Sequence, residues 1–281
     1  MYQRRLLNAR LAKNKHVYLV FQPGKVGSKS IVSHLQRTGI DDCPFHVHYL
    51  DLSKTATEQA GPLGRDLIIP QINSFDFFER RLISYSQAGG KVKVVCGVRD
   101  PWSRGRSAFR QNLESILAYG SRRLIRLTCS GCFVSKRTLI TLFHNFNSQF
   151  YTQWFDKELL RLTGIDVYQR PFPVEDGYAT LSNQSFEVFL YRYDRLGELG
   201  VQHALNQFLG VPDFMPLPHT NAHPECEASL VANIQACHYP DSVNDYFAQS
   251  PLVKHFFTED EIAAFTAREL EIQLRTNSDA R

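Results

Sequence analysis

The 281-residue sequence has no apolar run that approaches the roughly 18–20 residues needed to span a bilayer. It also lacks a strong excess of one charge, since 32 lysines and arginines against 28 aspartates and glutamates leave +4 at pH 7. A protein that binds nucleic acid over its whole surface would be more basic. No repeat or low-complexity segment divides the chain. We therefore expect a single domain over residues 1–281, with no integral membrane segment and no nucleic-acid partner.

Cysteine is scarce, with six residues in the chain. Cys129 and Cys132 have the spacing of a redox pair or of half a zinc site. No second Cys/His pair lies at zinc-finger distance, and the neighbouring basic sequence is not typical of thioredoxin. Cys96 lies within an apolar segment and is predicted to be a small buried side chain. These observations predict no metal site.

The sequence does contain a pattern typical of phosphate binding, at residues 17–30. An apolar strand runs directly into a turn that is rich in glycine, lysine and serine. The glycines let the backbone approach an anion closely, the lysines supply charge, and the serines can begin a helix whose N–H groups point at the ligand. The candidate phosphate-binding residues are Gly24, Lys25, Val26, Gly27, Ser28, Lys29 and Ser30.

Two alternatives to this interpretation exist. The loop is not an ordinary nucleotide-triphosphatase P-loop, because Ser28 separates Gly27 from Lys29 and no later strand ends in an acidic residue that would hold magnesium. The other alternative is a glycine-rich turn between a strand and a helix that binds no ligand.

A second segment, at residues 92–107, favours the phosphate interpretation. Residues 92–98 are typical of a central parallel strand, and Arg99 follows at its carboxyl end, where open α/β sheets bind ligands. Pro101 suits the first turn of a helix, which would place Ser107 two turns along it. An arginine and a hydroxyl together can bind a phosphate monoester. The alternative is a surface turn in which Asp100 caps the helix.

Together the two segments resemble the sulfotransferases that use 3′-phosphoadenosine 5′-phosphosulfate. In that family a strand-loop-helix of the form Pro-Lys-x-Gly-Ser/Thr-x-Ser/Thr binds the 5′-phosphosulfate. A later strand that ends in Arg-Asp/Asn-Pro, with a serine eight positions after the arginine, binds the 3′-phosphate. The chain departs from the first pattern only in Gly24, which stands between Pro23 and Lys25, and it has the eight-residue spacing between Arg99 and Ser107.

Further segments extend the resemblance. The sequence from Val188 to Leu196 is similar to the family's late strand that ends in Arg-Tyr-Glu-x-Leu, with Asp194 in place of the glutamate. Residues 154–168 and 255–262 are similar to the bacterial group named capsular polysaccharide synthesis proteins. Animal glycan sulfotransferases are usually anchored in the Golgi by a membrane helix, so the absence of such a helix favours a cytoplasmic bacterial enzyme. The basic residues 1–13 are interpreted as a leading helix.

The resemblance implies transfer of a sulfonate group from this donor to a hydroxyl of a saccharide or a small metabolite, with no metal required. Lys25 is placed to stabilise the leaving oxygen. His46 and His48 would share one face of a short strand, and a His-x-His pair here resembles the uronyl 2-O-sulfotransferases, in which one histidine is the base. We expect His48 to be the base, with His46 as the second candidate. The alternative is a pair of structural histidines.

The aromatic residues Phe150, Tyr151, Trp154 and Phe155 either line an acceptor cleft or, as their helical spacing favours, belong to the core. The predicted fold is a three-layer α/β domain around a mostly parallel sheet, with a P-loop-like turn and strands near residues 16–21, 44–50, 92–98 and 187–193, the first of them central. Two other functions stay open, a P-loop kinase and a non-catalytic glycan-assembly protein.

Overall fold

The structure is a computed structural model that describes residues 16–41, 44–49, 79–120, 136–146, 149–211, 213–218 and 228–278. Its centre is a five-stranded sheet in the order β2-β1-β3-β5-β4. The strands are β1 (His16–Phe21), β2 (Phe45–Val47), β3 (Lys91–Val98), β4 (Tyr178–Ser182) and β5 (Phe186–Arg192). The first four strands in this order are parallel to their neighbours, and β4 is antiparallel to β5.

The three interior strands are apolar along almost their whole length, as expected of parallel strands covered on both faces. Leu19 of β1 pairs with Val94 of β3, and Cys96 of β3 pairs with Leu190 of β5. All four side chains are at most 1% exposed. The predicted burial of Cys96 is thus confirmed. The first strand lies inside the sheet, but the prediction that it is central needs correction, because β3 is the middle strand.

One predicted strand length needs correction, and one strand of the sheet was not predicted. Strand β2 ends at Val47, so His48 and Tyr49 lie beyond it rather than within a strand that reaches residue 50. Strand β4 was not predicted. It joins β5 through a tight turn in which the side chain of Asn183 accepts hydrogen bonds from the backbone N–H groups of Ser185 and Phe186. These bonds fix the antiparallel hairpin at the edge of the sheet.

Nine helices lie within the described ranges and are labelled here in chain order. They are α1 (Ser28–Arg37), α2 (residues 79–87), α3 (Pro101–Gly120), α4 (Lys136–His144), α5 (Leu199–Leu209), α6 (Ala228–Gln235), α7 (Asp241–Gln249), α8 (Pro251–Phe256) and α9 (Glu259–Ser278). Residues 149–169 add short helical turns, among them a π-helix at Phe155–Leu160.

Helices cover both faces of the sheet, and two apolar clusters show it. On one face Val95 and Phe189 pack with Ile31 of α1 and Leu205 of α5. On the other face the alternate strand residues pack with α2, α3 and the carboxyl-terminal helices, including Phe109 of α3. The chain is therefore an α/β protein with a mostly parallel sheet, as predicted.

Some predictions lie outside the described residues. They are the leading helix at residues 1–13 and the pair Cys129 and Cys132. Across the part of the chain that the structure describes, no helix combines the length and the apolarity needed to cross a membrane.

Candidate functional site

The loop between β1 and α1 has an unusual backbone. Lys25 has φ 76, and it is the only non-glycine residue with positive φ in the described ranges. Gly27 has φ 90 and caps the amino end of α1, and a Cβ there would lie 2.9 Å from a methyl group of Leu196. A left-handed lysine costs conformational energy and is typical of loops with a functional role. The first turn of α1 carries no acidic residue, so its positive end is not neutralised locally.

The loop is fixed from below by the sheet. The hydroxyl of Tyr191 on β5 donates to the carbonyl oxygen of Val26 at 2.6 Å and lies 3.0 Å from the side-chain oxygen of Gln22. Gly97 on β3 makes room for this ring, because a Cβ there would approach it to 2.7 Å. The phosphate-binding candidates are therefore held by a buried neighbour that the sequence motif does not contain.

Arg99 connects the two predicted motifs. It stands directly after β3, and its Nη1 donates to the carbonyl oxygen of Lys25 at 3.2 Å. Its Nε donates to the hydroxyl of Ser103 at 2.9 Å, and its guanidinium lies 4.6 Å from the ring centroid of Tyr193. The hydroxyl of Tyr151 bonds both the N–H and the carbonyl of Arg99. The end of β3 and the loop after β1 thus form one site.

Helix α3 begins as predicted. The carboxylate of Asp100 accepts the backbone N–H of Ser103 at 2.7 Å and also the Ser103 hydroxyl, which is the geometry of a helix cap. Pro101 is the first helical residue. Ser107 follows Ser103 by four residues, so it lies one turn further along the same face as Arg99's hydroxyl partner. The helix cap and the binding interpretation of this segment are therefore compatible.

Several cations surround Lys25, and they affect the pKa of its ammonium group. Burial lowers the pKa of Lys25 most, followed by the positive charges of Arg110, Arg99, Lys29 and Arg104. Like charges held together in this way repel one another until an anion arrives. Positive charge is therefore concentrated around the loop, at the carboxyl edge of the sheet.

His48 stands over the start of the loop with a defined tautomer. Its Nδ1 lies 2.7 Å from the carbonyl oxygen of Gln22. Because a carbonyl oxygen only accepts hydrogen bonds, Nδ1 carries the proton of the neutral ring and Nε2 keeps its lone pair. A Cβ placed on Gly24 would lie 3.8 Å from Nε2. The basic nitrogen of His48 therefore faces the loop.

The pKa of His48 is lowered. Burial is the main cause, the hydrogen bond to Gln22 opposes it, and the charges of Arg104 and Lys25 add to it. His48 is thus neutral and basic at pH 7. The ring of His46 meets that of His48 edge-on with centroids 4.5 Å apart, so the two rings are neighbours although His48 lies beyond β2 rather than on a strand face shared with His46. Desolvation of its ring and the charge of His48 lower the pKa of His46 too, although His46 is exposed overall.

The aromatic residues near position 150 belong to the core, not to an open cleft. Phe150, Tyr151, Trp154 and Phe155 are at most 7% exposed. They nevertheless support the site, since the indole N–H of Trp154 donates to the carbonyl oxygen of His48 at 2.7 Å. Arg104 also stacks on Tyr151, with 4.7 Å between its guanidinium and the ring centroid.

The late strand has a structural role. Arg192, at the end of β5, is 1% exposed and makes paired hydrogen bonds to the carboxylates of Asp194 and Glu261. Glu261 belongs to α9, so this arginine joins the sheet to the last helix. The adjacent Tyr193 is the residue of this segment that reaches Arg99.

From the sequence, Arg104 and Arg110 are members of a basic cluster around the second motif without an individual binding role, and Tyr193 has no predicted role in the site. A helical-wheel reading of α3 would have placed Arg110 on the face of Ser103 and Ser107, since the three stand four and three residues apart. The contact of Tyr193 with Arg99 had no comparable signal, because it depends on the pairing of β3 with β5.

The chain matches no family model, and searches of the curated proteins and of the solved structures find no match for it. Within the described residues, no group of three or more histidine, cysteine, aspartate or glutamate side chains could hold a metal ion.

Proposed function

We propose that the chain is a sulfotransferase with a P-loop-like α/β fold. It would transfer the sulfonate group of 3′-phosphoadenosine 5′-phosphosulfate to a hydroxyl of a saccharide or of a small hydroxylated acceptor. The observation that carries the proposal is the hydrogen bond between Arg99 and the Lys25 carbonyl, because it unites the two motifs in one cationic site. Such a site suits a donor with charged groups at both ends of a nucleoside.

In the proposed binding mode, the loop from Gly24 to Ser30 and the amino end of α1 hold the 5′-phosphate. Arg99 and Ser107 hold the 3′-phosphate. The carboxylate of Asp100 is occupied by the helix cap, which favours a sulfotransferase over a kinase that needs a magnesium-binding acid at a strand end.

In the proposed reaction, Nε2 of His48 removes the proton of the acceptor hydroxyl. The acceptor oxygen forms a bond to sulfur while the bond between sulfur and the bridging oxygen breaks. The electron pair stays on that oxygen, and the ammonium of Lys25 stabilises the negative charge that develops there. The tautomer and the lowered pKa of His48 support its assignment as the base.

Calorimetry with nucleotides tests the donor site. The wild-type protein should bind adenosine 3′,5′-bisphosphate without magnesium, and Arg99→Ala and Ser107→Ala should weaken that binding. For the arginine the loss should be about 10-fold to 100-fold, the worth of hydrogen bonds between charged groups. Binding of adenosine 5′-phosphate, which has no 3′-phosphate, should change much less.

Two results would contradict the proposal in different ways. Binding of ATP with magnesium, without binding of adenosine 3′,5′-bisphosphate, would favour the kinase. No response to either nucleotide would favour a non-catalytic protein on this fold. Equal losses for both adenine nucleotides in Arg99→Ala would remove the assignment of the 3′-phosphate site.

A further inference from the structure

Three arginines in the described part of the chain are almost completely buried. Arg104, Arg106 and Arg192 are 8%, 2% and 1% exposed. Arg192 pairs with two carboxylates, and Arg106 pairs with Glu269. Arg104 has no carboxylate within ion-pair distance among the residues that the structure describes. Since a buried charge is costly unless it is paired, Arg104 differs from the other two in a way that calls for an explanation.

Among the described residues, the neighbours of Arg104 supply hydrogen bonds and a ring, and no carboxylate lies within ion-pair distance. Its Nε donates to the carbonyl oxygen of Gly24 at 3.1 Å, and its Nη2 lies 3.5 Å from the hydroxyl of Tyr49. Its charge lowers the pKa of Lys25 and of His48, so it is close enough to repel both in their charged forms. These described neighbours hold the guanidinium in place and do not neutralise its charge.

Three groups converge on Gly24. Arg104 is bonded to its carbonyl, Nε2 of His48 lies next to the position of its missing side chain, and Lys25 follows it in the chain. The backbone of Gly24 does not have positive φ, so its conformation does not require glycine. Because Gly24 has no side chain, there is space beside the base His48 and the two cations Arg104 and Lys25.

We propose that Arg104 binds an oxyanion at the reacting end of the site, beside His48 and Lys25, rather than a phosphate group of the nucleotide. The inference rests on the proposed function. The oxyanion has two possible sources with the same chemistry, the sulfonate of the donor or an acidic group of the acceptor. In either case Arg104 contacts the reacting molecules and Tyr151 and Gly24 orient it.

The test compares two nucleotides that differ only in the sulfonate. Calorimetry measures the binding of 3′-phosphoadenosine 5′-phosphosulfate and of adenosine 3′,5′-bisphosphate to the wild type, Arg104→Gln and Arg104→Lys. We expect Arg104→Gln to weaken binding of the sulfonated nucleotide about 10-fold or more and that of the bisphosphate less than about 2-fold. Arg104→Lys keeps the charge and should recover part of the difference.

The control is Arg110→Gln, which removes a charge from the same helix and the same cationic cluster. It should weaken binding of both nucleotides by the same factor, since Arg110 contributes to the positive charge around Lys25 and the bond to the Gly24 carbonyl is made by Arg104. A general loss of positive field would give this result at either position, so only the ratio of the two affinities reports on Arg104.

The acceptor source has its own arm. With the bisphosphate bound, the wild type is titrated with a hyaluronan tetrasaccharide, which carries carboxylates, and with neutral chitotetraose. If Arg104→Gln leaves both nucleotide affinities unchanged but weakens binding of the acidic saccharide about 10-fold, the oxyanion belongs to the acceptor.

The remaining outcomes overturn the inference. A wild type that binds both nucleotides, together with an Arg104→Gln variant that weakens both equally or changes no affinity at all, makes Arg104 a support of the loop and leaves the proposed function intact. A wild type that binds neither nucleotide overturns the proposed function and this inference with it.

Discussion

Two regions of the molecule bury arginine and treat its charge in opposite ways. Beside the carboxyl-terminal helices, Arg106 of α3 and Arg192 of β5 are paired with the α9 carboxylates of Glu269 and Glu261. At the carboxyl edge of the sheet, Arg104 is held by a carbonyl and an aromatic ring beside further cations. The first arrangement connects elements, whereas the second keeps a positive field that a ligand can complete.

This contrast separates structural from functional arginines. Burial alone does not do so, because all three of these side chains are at most 8% exposed. The informative observation is what compensates the charge. A partner carboxylate satisfies it within the fold, while carbonyls and rings only position it.

Removal of the counterion of Arg106 should lower the stability of the protein more than any other substitution considered. Glu269→Gln should lower the free energy of unfolding by about 3 kcal/mol or more, because it leaves Arg106 buried without its counterion. Arg104→Gln should change it by about 1 kcal/mol or less, since the lost bond to Gly24 is offset by less repulsion among the cations. Urea unfolding of the three proteins measures both values.

A surface pair on the same helix provides the control. Glu271 and Arg275 are exposed partners four residues apart on α9, and Glu271→Gln should cost about 0.5 kcal/mol or less. Should Arg104→Gln destabilise the protein as much as Glu269→Gln, the two regions would not differ and Arg104 would be a structural residue.

The next effect concerns activity instead of stability. His48→Ala should lower turnover about 10²-fold or more, the usual contribution of a positioned base, and leave binding of adenosine 3′,5′-bisphosphate intact. It should also change the free energy of unfolding far less than Glu269→Gln does. His46→Ala should cost less turnover, because only Nε2 of His48 lies beside Gly24.

Steady-state kinetics with saturating donor provide the measurement. Near-normal turnover of His48→Ala would show that the proton leaves by another route. A parallel loss of nucleotide binding would make His48 a support of the loop through its bond to Gln22.

The sheet was predictable where local sequence determined it. Strands β1, β3 and β5 each contain a run of apolar residues in the interior of the strand, which is typical of buried parallel strands. Strand β4 is half-exposed and includes Thr180 and Ser182, so its sequence carries little apolar signal. The turn residue Asn183 was the available sign of a hairpin, and the sequence analysis did not use it.

The candidate site was predictable only in part, because its motif residues are local and their partners are not. Gly24, Lys25 and Arg99 stand at strand ends, where a sequence pattern can place them. Arg106 of α3 is paired because Glu269, which is 163 residues away in the sequence, lies beside it in the fold. No local pattern in the sequence of α3 indicates this. The tautomer of His48 likewise depends on Gln22, across the pairing of β2 with β1.

The weakest effect we expect is the pH dependence of the stability that the pair of Glu261 and Arg192 contributes. Burial would raise the pKa of Glu261, but the hydrogen bonds and charge of Arg192 and the N–H of Thr258 lower it overall. A carboxyl group whose pKa is lower in the folded state stabilises the protein above its unfolded pKa of about 4.3, and this contribution disappears as the pH falls through the folded value.

Glu261→Gln removes this charge, and its amide oxygen can still accept the N–H of Thr258 at the start of α9. The side chain of Glu261 is one-third exposed, so we expect the variant to be less stable by about 1 kcal/mol at pH 7. The difference between variant and wild type should shrink as the pH falls below the unfolded pKa of about 4.3, and it should disappear as the folded carboxyl group takes up its proton. Urea unfolding of both proteins at pH 7 and at pH 3.5 provides the comparison. A difference that stays constant or grows on acidification would mean that the charge of Glu261 does not stabilise Arg192, and that the packing of α9 against the sheet does so without it.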